Sequence, residues 1–287
     1  MNLFKKIITT TFIFFVLATT NLNAQIKKFN MVFVPASEKG DENDYKGLIE
    51  IVNKLTGYKI NFIKVTDYNA AVEAMRADRA QIAWYGGKTY IKAAELANAE
   101  AFAAGVRPGE KDAGYFAYFV VKKDSDIKKF SDVKGKVLSL NSIGSTSGDL
   151  IPQVELVKIN LSTTNKDDFK SVFYAGSHDA CLLAVLNNQA DVCGMSSRNF
   201  EARLADNTFK ENDVRIIHKS DRVPPPPLSY SKKIPLEDRK KIKKAVLEAH
   251  THGEIGGYGG KMSHYISVKD SDYDVLRSVV ELLKKKK

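Results

Sequence analysis

The sequence predicts an α/β protein of two lobes, each built on a mainly parallel sheet and joined by a two-strand hinge. Strand-length apolar runs alternate with helix-length amphipathic segments in two separate series. The strongly β-prone run Tyr115 to Val121 stands between the series, and the stiff run Pro224 to Pro227 follows the second. Alternation implies parallel strands, because a parallel return needs a crossover long enough to hold a helix. Consecutive prolines lack backbone donors, so they suit a crossover and exclude a central strand.

Phe29 to Val34 reads as the first strand and Tyr45 to Leu55 as an amphipathic helix stopped by Gly57. Tyr58 to Val65 is a second strand, Tyr68 to Ala77 a helix, Gln81 to Tyr85 a short apolar strand, and Lys88 to Ala97 a helix leading into Ala101 to Ala104. The second series starts after Ser131 to Lys136 with strand Val137 to Leu140, a glycine loop and a helix. Strand Ser171 to Tyr174, helix Ala180 to Asn187, strand Asp191 to Gly194 and strand Arg215 to His218 continue it. Leu228 to Tyr230 returns to the first lobe, followed by helices Leu236 to Ala249 and Tyr273 to Leu283. Residues 25–119 with 225–287 then form one lobe and 120–224 the other. Two crossovers leave a cleft at the carboxyl ends of the strands, where open α/β sheets bind ligands.

Residues 1–24 have the three parts of a cleavable export signal: Lys5 and Lys6, an apolar stretch from Ile7 to Ala18, and Asn21-Leu22-Asn23-Ala24. The apolar stretch is short and broken by threonines, unlike a permanent span. The formal net charge is +10, with basic runs at Arg239-Lys240-Lys241, Lys243-Lys244 and Lys284 to Lys287. These read as solvated faces and a tail, and without interleaved aromatics they argue against a nucleic-acid partner. Cys181 and Cys193 fall on a helix and the following strand, layers usually about 10 Å apart, which favours two buried thiols over the bridge that export would permit. Neither has a second ligand at metal-binding spacing, so no metal is expected.

The chemistry concentrates in three loops. Gly144-Ser145-Thr146-Ser147-Gly148 places consecutive hydroxyls between glycines, after a strand and before a helix. Unpaired N–H groups and the positive end of a helix dipole there make a seat for an anion, or an ordinary helix cap. Ala175-Gly176-Ser177-His178-Asp179-Ala180 repeats the arrangement: Ser177 or Asp179 caps a helix and His178 offers a ring N–H. Ala83-Trp84-Tyr85-Gly86-Gly87 ends a strand of the first lobe, with an indole N–H and a phenol hydroxyl as donors, or with both rings in the core.

These segments, with Gly114-Tyr115, Pro152, Leu183-Ala184-Val185, Ala190-Asp191-Val192, Pro224 to Pro227 and Ser271-Asp272-Tyr273-Asp274, occur in an order and spacing that resembles the phosphonate and phosphite substrate-binding proteins of bacterial ABC transporters. The resemblance runs from about Phe29 to Leu283. It implies the type II periplasmic binding protein fold, a monomer without cofactor or catalysis. Such a protein closes on a phosphorus oxyanion and delivers it to an ABC permease in the inner membrane. Carried over, Ser145, Thr146, Ser147 and His178 hold the oxyanion and Tyr85 closes over it from the other lobe. Trp84, Tyr45 and Ser177 complete the candidate set.

Family members that take aminoalkylphosphonates use acidic side chains for the ammonium. Here the stretch after Asp191-Val192 reads Cys193-Gly194-Met195-Ser196-Ser197-Arg198, without a carboxylate and with a cation that repels an amine. Phosphate, phosphite or a simple alkylphosphonate is therefore the expected ligand. Two other roles compete. A hydrolase would need a nucleophile elbow, but the Gly144 outline puts Thr146 at that position, and adjacent His178 and Asp179 side chains diverge. A ligand-presenting sensor of the same fold is the alternative to transport.

Overall fold

The structure, a computed structural model, describes residues 26–38 and 41–285. The expected export signal and Lys286-Lys287 lie outside the described residues.

The first series is β1 (Lys28–Phe33), α1 (Asp41–Thr56), β2 (Lys59–Ile63), α2 (Tyr68–Arg76), β3 (Ile82–Trp84), α3 (Gly87–Ala97) and β4 (Ala99–Val106). Local signals set its boundaries. Asp67 caps α2 by accepting from Ala70 N at 2.8 Å, and α3 stops where Asn98 turns left-handed at φ 53°. The chain then forms β5 (Ala117–Lys122), β6 (Val137–Leu140), α4 (Ile151–Lys158), β7 (Ser171–Tyr174), α5 (His178–Leu186), β8 (Val192–Ser196), α6 (Ser197–Ala205) and β9 (Val214–Lys219). It returns through β10 (Leu228–Ser231), α7 (Leu236–Glu248), β11 (Ile255–Gly257), β12 (Gly260–Met262), β13 (His264–Ser267) and α8 (Asp274–Lys285).

Two main sheets result. The first is six-stranded in the order β13-β4-β10-β3-β1-β2, and the second five-stranded in the order β7-β6-β8-β5-β9. Each has a parallel core, β2-β1-β3 in one and β7-β6-β8 in the other. The expected parallel character holds in these cores. The strands added by the crossovers and the return, β10, β4 and β13 in one sheet and β5 and β9 in the other, pair antiparallel and make both sheets mixed. β5 belongs wholly to the second sheet, so by sheet membership the chain crosses before residue 117 and the expected division at 119/120 falls inside a strand. At the crossing, Tyr115 and Val223 exchange backbone hydrogen bonds at 3.2 and 2.8 Å, which ties the two connections side by side.

The cores follow the sheets. Met31, Val32, Phe102 and Tyr230 share the first-lobe core. The second lobe is packed on both faces of its sheet, with Leu182, Val185 and Met195 on one and Leu138, Leu156 and Val192 on the other. Truncating one of these leucines to alanine costs about 2–5 kcal/mol in such surroundings.

One expectation is overturned: Cys181 on α5 and Cys193 on β8 form a disulfide, with Cα atoms 5.6 Å apart. A layer spacing runs from helix axis to sheet, and a helix Cα facing the sheet lies about 2.3 Å nearer than the axis. Cys181 Sγ reaches the sheet, 3.4 Å from the Ser139 carbonyl oxygen.

Candidate functional site

The Gly144 loop enters helix through an unusually wide turn. Gly144 takes φ 103°, Ser145 remains extended, and Thr146–Leu150 forms a π-helical turn ahead of α4. Ser145 Oγ caps it by accepting from Gly148 N at 3.1 Å, and Asn141 Nδ2 donates to the same oxygen at 3.2 Å. The Thr146 and Ser147 amides stand ahead of the turn's first bonds, as the leading N–H groups of any helix do. Gly148 allows the close packing around this turn: a Cβ there would lie 2.3 Å from Asn141 Cβ and 2.8 Å from His178 Cε1.

His178 begins α5, whose N-cap Ser177 accepts from Ala180 N at 3.0 Å. The imidazole is buried, and burial pushes its pKa down to about 3. Its Nδ1 accepts from Ser196 N at 3.2 Å. A neutral ring with an occupied Nδ1 carries its proton on Nε2. Trp84, at the end of β3, is buried against Tyr258, with ring centroids 4.7 Å apart. Its Nε1–H is buried and has no hydrogen-bond partner among the described residues.

These groups meet. A cavity of about 10 Å³ lies between the lobes, walled on one side by Trp84, Tyr68 and Tyr258 and on the other by Ser145, Thr146, Ser147 and His178. Tyr115 and Pro226 close it at the hinge. Tyr115 lies within hydrogen-bonding reach of the Ser147 and Thr146 hydroxyls, and burial raises its phenol pKa. The volume is close to that of one water probe, so the lobes are shut and a larger guest enters only when they part. Among the described residues, none that lines the cavity is Asp, Glu, Lys or Arg.

Of the predicted residues, the structure brings Ser145, Thr146, Ser147, His178 and Trp84 onto this cavity and leaves three behind it. Tyr85 is a correction: its ring turns into the first lobe and its hydroxyl donates to Ala71 O at 3.2 Å. β3 alternates faces, so with Trp84 toward the cavity its neighbour points away. Tyr45 lies behind Trp84, its centroid 6.0 Å from the indole, and its hydroxyl accepts from Tyr258 N at 3.2 Å. Ser177 serves as a helix cap. Tyr68, Tyr115, Tyr258 and Pro226 escaped the sequence reading as wall residues. Gly114-Tyr115 beside the crossover was the available signal, whereas Tyr68 and Tyr258 arrive from remote segments.

Bonds across the lobes surround the cavity. Lys88 N donates to Thr146 Oγ1 at 2.9 Å, Thr89 Oγ1 to Gly144 O at 2.9 Å, and His178 N to Ala36 O at 3.2 Å. Lys88 Nζ pairs with buried Asp149, and Tyr258 Oη donates to Asn199 Oδ1. Arg198 is buried and bonded to Ala113 O at 2.7 Å and Gly105 O at 3.3 Å; it stands outside the cavity wall. Asp179 is engaged away from His178, accepting from Ser37 Oγ and Glu38 N at 3.0 Å each. Among the described residues, no acid–base relay joins a hydroxyl, His178 and Asp179.

Two lobes shut over a wall of neutral donors have the geometry of a ligand-binding cleft. The family model described as "ABC transporter, phosphonate, periplasmic substrate-binding protein" matches residues 31–273, and the chain belongs to that family. It is a periplasmic component of an ABC transporter and not an enzyme. It is 28% identical over 232 residues to the phosphonates-binding periplasmic protein of Escherichia coli K12, covering 79% of this chain and 67% of the relative. It is 28% identical over 198 residues to the phosphate-import protein PhnD of Mycolicibacterium smegmatis, covering 66% and 62%. Among solved structures, a binding protein component of an ABC phosphonate transporter from Pseudomonas aeruginosa has a TM-score of 0.78 at 23% identity, covering 91% of this chain and 87% of its own. PhnD1 of Prochlorococcus marinus, in complex with methylphosphonate, has a TM-score of 0.73 at 19% identity, covering 90% and 99%.

Proposed function

We propose that this protein captures a small, non-aminated phosphorus oxyanion, such as phosphite, methylphosphonate or phosphate, and hands it to an inner-membrane ABC permease. It acts as a monomer, exported through the segment 1–24. The observation that carries this reading is the composition of the cavity wall: hydroxyls, an imidazole N–H and a buried indole N–H, with neither a partner for the indole nor a carboxylate for an ammonium among the described residues. Ser145, Thr146, Ser147, His178 and Trp84 are the proposed ligand donors, with Tyr115 closing the shell. About six charge-assisted hydrogen bonds at roughly 1.5–3 kcal/mol each offset closure and immobilisation costs of several kcal/mol. A remainder of about −8 kcal/mol corresponds to micromolar affinity.

A thermal-shift screen of oxyanions tests the reading. A ligand at about 100 times its Kd adds about 2.7 kcal/mol, or roughly 4–6 °C for a chain of this size. Phosphite or methylphosphonate is expected to give that shift. A screen in which only carboxylates or sulfonates stabilise the protein would overturn it.

A further inference from the structure

We propose that the Cys181–Cys193 disulfide is a positioning crosslink for the His178 imidazole, so that removing it weakens oxyanion binding beyond any loss of stability. The proposal rests on the reading of His178 as a ligand donor.

Cys181 lies three residues after His178 on α5, and Cys193 three residues before Ser196 on β8. Residues three apart on a helix share a face, so the disulfide and the His178–Ser196 bond lie along one seam between the same two elements. One link is covalent, and the other fixes which imidazole nitrogen carries the proton.

The remaining polar ties of the helix start run largely to the opposite lobe. His178 N donates to Ala36 O, while Asp179 accepts from Ser37 and Glu38. Parting of the lobes breaks them all. Within the second lobe, Gly176 N donates to Asn141 O at 2.7 Å, Ser142 Oγ donates to Gly176 O, and Arg203 Nε stands 3.8 Å from Asp179 Oδ1; these steady the loop and the backbone of the helix start but do not touch the ring. In the open receptor the ring's position therefore depends on the Ser196 bond and the disulfide beside it. A donor already oriented before the ligand arrives loses less entropy on binding. The bridge is fully buried, and export places it where disulfides persist.

The test is a calorimetric double-mutant cycle with methylphosphonate and phosphite as probes. It compares wild type, C181A/C193A, H178A and the combined variant. Leu138→Ala, on the other face of the same sheet, controls for lost stability. Expected are about tenfold weaker binding in C181A/C193A, unchanged affinity in L138A, and a combined variant no weaker than H178A. Imidazole ¹⁵N spectra should show the Nε2-protonated form alone in wild type and mixed tautomers in C181A/C193A.

Affinity within twofold of wild type in C181A/C193A, or losses that simply add to those of H178A, would overturn the proposal. Wild-type affinity in H178A would instead sink the ligand-donor reading itself. Should C181A/C193A fail to fold, C181V/C193A refills the volume and reads out the same cycle.

Discussion

His178 sets the pH behaviour of the site. Its folded pKa of about 3 lies below the 6.5 of an exposed imidazole, so between these values the unfolded chain binds the extra proton. This group's contribution to stability is intact above about pH 6.5 and is lost as pH falls toward 3, at up to about 1.4 kcal/mol per unit. NMR titration should show His178 neutral throughout pH 5–8; a titration centred near 6.5 would refute the buried donor. Gly148 makes a second prediction, because a Cβ there would stand 2.3 Å from Asn141 Cβ. Gly148→Ala should cost about 1–3 kcal/mol in chemical denaturation and strongly weaken oxyanion binding; wild-type values for both would contradict the packing described. At this scale the donor loops were legible because hydroxyls, a histidine and glycines cluster at strand ends. The facing of Tyr85 was misread, although strict alternation after Trp84 would have turned it inward.

Among the elements, the π-helical turn depends on Asp149. This buried carboxylate accepts from Gly144 N at 3.2 Å and Tyr174 Oη at 2.8 Å, and also from Gln153 within its own lobe. Lys88 reaches it from the other lobe. Lys88→Met leaves Asp149 its own-lobe donors, so the fold should persist while closure weakens. Loss of one partly exposed charged bond predicts about tenfold lower ligand affinity with little change in the unfolding midpoint, measured by calorimetry and denaturation. Unchanged affinity would show that the pair does not contribute to closure. Most strands and helices were readable from period-two and period-3.6 patterns. α6 was missed because Ser197–Ala205 carries only Phe200 and Leu204 as large apolar residues, too few to establish a period. β11 and β12 are three residues each and glycine-bearing, below the length at which alternation is visible. The disulfide was missed because a mean layer spacing does not locate the inward face of one helical turn.

At the scale of the whole molecule, two mixed sheets connected at Tyr115 and Val223 close on a cavity with room for about one water. Alternation of strand and helix revealed the lobes, and the proline run revealed the return. Tyr68 and Tyr258 were hidden because the fold brings them to the cavity from segments that share no local pattern with the donor loops. The chain's one tryptophan sits in the wall, so ligand binding should change its fluorescence in step with the heat of binding. The most direct test of a cleft built from neutral donors is calorimetric titration of the periplasm-purified protein with methylphosphonate, phosphite and 2-aminoethylphosphonate. Micromolar or tighter binding of methylphosphonate or phosphite is expected, near −8 kcal/mol or stronger, with 2-aminoethylphosphonate at least about tenfold weaker because its ammonium finds no carboxylate. Tighter binding of 2-aminoethylphosphonate than of both would contradict it.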